Sequence, residues 1–67
     1  MSGSPESTAA ELATIADKIA QYRGRVADLA EPFVGSDRDD LVVAIYEAER
    51  QLRSAERGLL RALRACS

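Results

Sequence analysis

The sequence predicts an all-α protein: an antiparallel two-helix hairpin that joins a second copy to make a four-helix bundle. Large apolar residues recur at Leu12, Ile15, Ile19, Tyr22, Val26 and Leu29, with spacings alternating between three and four. A second series runs through Leu41, Ile45, Ala48, Leu52, Ala55, Leu59, Ala62 and Cys66 with the same alternation. Pro32 and Gly35 stand between the two series and break the chain. Both periods are the heptad of a coiled-coil seam, and no alternation of a strand competes with them.

Helix 1 is expected over residues 5–30. Ser4 can cap its first turn, Pro5 suits the first helical position, and Glu6 faces the positive end of the helix dipole. Thr8 and Glu11 offer a second capping box one turn later. Residues 31–36 form the loop, because a proline restricts its predecessor and removes a donor from the ladder. Phe33 and Val34 are expected to close that end of the hairpin. Helix 2 is expected over residues 37–65, capped by Ser36 or Asp37, with Asp39 and Asp40 in its first turn. So short a loop makes the helices antiparallel neighbours.

A chain of 67 residues with 30% charged side chains is one domain at the small end of what buries its own core. It has one cysteine and no histidine, so no internal disulfide can form and the common zinc arrangements lack ligands. A net charge of −2 gives no overall field towards nucleic acid or an anionic membrane. The apolar run from Leu41 to Tyr46 is far too short for a bilayer span, and the first residues lack a leader pattern. The expectation is a cytoplasmic, non-enzymatic protein without cofactor or metal. Catalysis is not expected where no histidine and no pocket-forming length are present. Asp37-Arg38-Asp39-Asp40 lacks the glycine and closing glutamate of a calcium loop and reads as a helix start. Glu47 and Glu49 read as solvated surface.

The hairpin core is expected at Leu12, Ile15, Ile19, Tyr22, Val26, Leu29, Ile45, Leu52 and Leu59. Beside that seam, small residues repeat at Ala13, Ala20 and Ala27, while Val42, Tyr46, Leu60 and Leu63 flank the seam of helix 2. These widen each apolar arc to about half the helix, more than one facing helix covers. They are therefore the expected oligomer or partner interface, with a homodimer and a further protein as the partners.

Arg50, Arg53, Arg57, Arg61 and Arg64 form a stripe opposite the seam of helix 2 and supply a second reading, in which the stripe follows phosphates. The stripe reads more simply as a solvated face, since Glu47, Glu49 and Glu56 offer partners three or four residues away and no aromatic residue interleaves it. Gly24 and Gly58 fit either close helix approach or plain surface. Cys66 reads as a small seam residue rather than a redox centre. Phe33-Val34-Gly35 resembles the Trp-x-Gly turn of the WXG100 family of secreted helical hairpins, with phenylalanine in place of tryptophan. That resemblance spans three residues and implies, as a third reading, an exported hairpin. The family's Tyr-x-x-x-Asp/Glu signal is absent after helix 2, and Tyr46 is followed four residues on by Arg50. The leading expectation is a self-associating hairpin that mediates protein–protein interaction as an adaptor, assembly or regulatory subunit.

Overall fold

A computed structural model describes residues 3–67 and consists of two long helices packed against each other. Helix α1 spans Pro5–Ala30 and α2 spans Asp39–Ala65, joined through a single 3-10 turn at Glu31–Phe33. The hairpin is a rod of 52 × 17 × 14 Å.

Reciprocal capping starts α1 at the expected residue. The Ser4 hydroxyl accepts the Ser7 amide at 3.1 Å, and the Ser7 hydroxyl accepts the Ser4 amide at 3.3 Å. Two otherwise orphaned donors are satisfied by this exchange. Ser7 rather than Glu11 thus completes the box, and Thr8 lies inside the helix. The other end of α1 falls at Ala30, as expected. Pro32 follows inside the 3-10 turn, near its start, where the missing donor costs nothing. The chain then turns at Val34 and at Gly35, whose φ of +79° favours a residue without Cβ.

Gly35 returns the chain over the end of α1. There the Ser36 hydroxyl donates to the Phe33 carbonyl at 2.6 Å and accepts the Arg38 amide at 3.1 Å. Ser36 is therefore occupied in the loop, and neither it nor Asp37 caps α2. The cap is Arg38, through its backbone carbonyl alone, which accepts the amides of Leu41 and Val42 at 3.1 and 3.3 Å. Helix α2 begins two residues later than expected for that reason. Asp39 and Asp40 do occupy its first turn. Arg38 turns back to Asp40 at 3.1 Å and holds that carboxyl below the ordinary aspartate range. Phe33 is half-buried at the loop end, whereas Val34 stays exposed.

Candidate interaction surface

The seam between the helices keeps the expected heptad but not the expected phase. In α1 the more buried residues are Ala9, Leu12, Ala16, Ile19, Ala20, Arg23, Val26, Ala27 and Ala30. In α2 they are Leu41, Val42, Ile45, Glu49, Leu52, Glu56, Gly58, Leu59 and Leu63, with Cys66 just past its end. Of the expected core, Leu12, Ile19, Val26, Ile45, Leu52 and Leu59 do line the hairpin. Ile15, Tyr22 and Leu29 do not: they remain 45%, 51% and 64% exposed. Their places are taken by Ala16, Arg23 and Ala30, with Ala16 and Ala30 the two buried residues among those described. Two helices alone bury a narrow stripe, and short alanines make that stripe where backbones approach.

Arg23 enters the seam because α2 supplies its counter-charges there. Its guanidinium meets the Glu49 carboxylate at 3.0 Å and that of Glu56 at 2.5 Å, while Arg53 also reaches Glu49 at 2.9 Å. The Glu49 and Glu56 side chains are only 12% and 21% exposed. Glu49 is thus part of the hairpin's packing, against the expectation that it was surface. Carboxylates so placed are stabilised only with cations beside them.

Helical geometry decides where the displaced large residues go. At about 100° per residue, Ile15, Tyr22 and Leu29 lie roughly 85° to one side of the seam of α1, and Ala48, Ala55 and Ala62 lie roughly 90° to one side of that of α2. Each series follows its seam neighbour by three residues: Ile15 follows Leu12, and Ala48 follows Ile45. Because the helices both face each other and run oppositely, the two reversals cancel and both series fall on the same side of the hairpin. That front face carries Ile15, Tyr22 and Leu29 beside Ala48, Ala55 and Ala62, all exposed, over a floor of half-buried Leu12, Ile19, Val26, Ile45, Leu52 and Leu59. Arg25 lies at its margin with its guanidinium carbon 5.7 Å from the centre of the Tyr22 ring.

The residues expected to form the oligomer interface lie mostly at the back. Val42, Leu63, Ala20 and Ala27 are half-buried against the opposite helix, while Ala13, Tyr46 and Leu60 are exposed on the side where the Arg23 ion pairs lie. Of the arginine stripe, Arg50 pairs with Glu47 at 2.9 Å and Arg53 with Glu49, as helix neighbours should. Arg57, Arg61 and Arg64 make no ion pair among the described residues. Gly24 has open space where a Cβ would stand, so no close approach explains it, and Gly58 has only the end of Arg61 nearby. Cys66 is half-buried at the open end of the hairpin, in a hollow it shares with Pro5, Ala9 and Leu63.

Among the described residues no three His, Cys, Asp or Glu side chains gather as a metal site, and no helix is long and apolar enough to cross a membrane. No family model matches the chain, and neither a curated protein nor a solved structure matches it.

Proposed function

We propose that the chain is a non-catalytic helical hairpin that self-associates through its front face into a four-helix bundle and in that form mediates protein–protein interaction. The observation that carries this reading is the continuous apolar face of Ile15, Tyr22, Leu29, Ala48, Ala55 and Ala62, open along one side of a two-layered seam. Water-exposed apolar surface of this extent marks a docking site.

A second copy is the occupant that fits. The hairpin's outline on this side, at most 52 × 17 Å or about 880 Å², leaves room for the ~800 Å² per partner of a stable interface. A straight rod facing an identical rod covers the whole strip, and a twofold interface closes at two copies. The Arg23, Glu49 and Glu56 cluster lies on the back half of the seam, and Glu11, Lys18 and Arg25 stand only at the outer edge of this face, so front-to-front docking keeps charge at the rim. The dimer then offers the outer surfaces of α1 and α2 to a further protein partner.

Size-exclusion chromatography with light scattering tests the reading. The expected mass is about 14 kDa, twice the 7.2 kDa of one chain. A folded species of 7.2 kDa at 100 micromolar (on the order of ordinary working concentrations) would overturn it. Arg57, Arg61 and Arg64, being without carboxylate partners among the described residues, favour one second reading, a nucleic-acid-binding regulator acting through phosphates.

A further inference from the structure

We propose that the two hairpins dock with their loops at the same end, so that α1 of each copy lies over α2 of the other. This rests on the face-to-face association proposed above and goes on to specify its geometry.

The levels of the hairpin carry the argument. Arg23 reaches both Glu49 and Glu56, which places its level near residue 52 of α2. At the open end Ala9 shares a hollow with Leu63 and Cys66. These two anchors set an antiparallel register in which Ala62, Ala55 and Ala48 lie within about two residues, roughly 3 Å along the axis, of the levels of Ile15, Tyr22 and Leu29. Each level of the front face therefore holds one large side chain, from α1, and one alanine, from α2.

Two symmetric ways of closing such a face exist. With the twofold axis along the helices, each level meets the same level of the other copy, and each large side chain lies over an alanine. Large residues then occupy one diagonal and alanines the other, so all four helices stand at similar spacing. With the axis across the helices, α1 meets α1 and α2 meets α2. Tyr22, Ile15 and Leu29 then crowd against one another along one edge, and three alanines face alanines along the other, leaving a wedge that close packing does not tolerate. The flanks agree with the first arrangement. Glu11, Lys18 and Arg25 at the outer edge of the α1 face would come against Ala44, Gln51, Gly58 and Ala65 of α2, which are small or uncharged. The second arrangement would set Glu11 near Arg25 but also Lys18 near Lys18, exposed contacts of small net effect.

The native Cys66 supplies the test, as the attachment point for a nitroxide spin label in the full chain. Same-end docking places the two labels within about 20 Å, the span of two interaxial distances. Opposite-end docking separates them by about 50 Å, the length of the rod. Pulsed dipolar spectroscopy reads the difference directly. A second variant, Cys66→Ser with Asp37→Cys, moves the label to the exposed loop and is expected to give a short distance too. Short distances at both positions support the proposal. Distances near 50 Å at both, in a protein of dimer mass, overturn the arrangement while leaving the self-association standing. A protein of monomer mass with no dipolar signal overturns both.

Discussion

Replacing Arg23 by alanine tests the phase of the seam, on which the whole assignment of faces depends. In the hairpin this arginine touches Glu49 and Glu56, and its removal leaves Glu56 without an ion-pair partner while Glu49 keeps Arg53. An exposed ion pair contributes about 0–1 kcal/mol. Breaking a buried one costs about 3–5 kcal/mol, because the charge left behind stays desolvated. Glu56 is 21% exposed and Glu49 12%, nearer the buried limit, but one carboxylate remains compensated. We expect a loss of about 2 kcal/mol between those limits. The total stability of a 67-residue domain is roughly 3–10 kcal/mol, so the effect is large. With a urea slope near 1 kcal/mol/M the midpoint falls by about 2 M. Protein concentration is held fixed, since association adds to apparent stability. The companion variant, Arg23→Leu with Glu56→Leu, should recover most of the loss, because apolar residues replace buried ion pairs at little cost. A loss below about 0.5 kcal/mol for Arg23→Ala, the value of an ordinary surface site, would refute the reasoning. It would put Ile15 and Tyr22 between the helices and Arg23 in water.

Tyr22→Glu acts on the other face: burying the remaining half of this side chain contributes about 1 kcal/mol per copy, so the dimer Kd should rise at least ~30-fold. Sedimentation equilibrium measures it, and an unchanged Kd removes Tyr22 from the interface. Gly24→Ala should stabilise the protein by about 1 kcal/mol in urea melts, since open space surrounds the site and alanine favours the helix. The carboxyl of Asp40 should titrate below 3.8 by NMR, because Arg38 favours its charged form. A lowered folded pKa stabilises the protein above the unfolded value, so this contribution is present at neutral pH and is lost as pH falls through the lowered pKa. Asp40→Asn should abolish it. The nucleic-acid reading predicts salt-dependent retention of RNA or DNA that falls when Arg50, Arg57 and Arg64 become glutamine, and equal retention in that variant eliminates it.

The helices, their antiparallel order and the start at Ser4 were legible because they depend on local rules of period, capping and proline. The phase of the seam was not, for a physical reason. Hydrophobicity ranks Ile15, Tyr22 and Leu29 above Ala16, Arg23 and Ala30, and the ranking assigns the larger residues to the nearest core. A pair of helices nevertheless packs on its small residues and leaves these large ones exposed along one side. One sequence signal could have given the phase: Arg23 belongs to the series Ala9, Ala16, Arg23, Ala30, and Glu49 with Glu56 belong to Val42, Glu49, Glu56, Leu63. A single cation on one helix matched by two acids seven apart on the other marks facing positions. The start of α2 lies two residues beyond the expected one because Ser36 is equally suited to a loop and a cap, and only the backbone turn at Gly35 decides between them.

The Arg23 cluster has a consequence for how the helices are aligned lengthwise. Apolar seams that repeat every seven residues fit nearly as well after one helix slides by a heptad, about 10.5 Å. Such a slide would set Arg23 between Val42 and Glu49 in one direction or between Glu56 and Leu63 in the other, and either way one carboxylate would lose it. The axial position is thus written in three charged residues rather than in the length of the connection. Inserting glycine and serine residues after Gly35 is expected to leave the alignment unchanged, at a cost of only about 0.6 kcal/mol per doubling of the loop. The loop ties the helices together, and the ion pairs set them level.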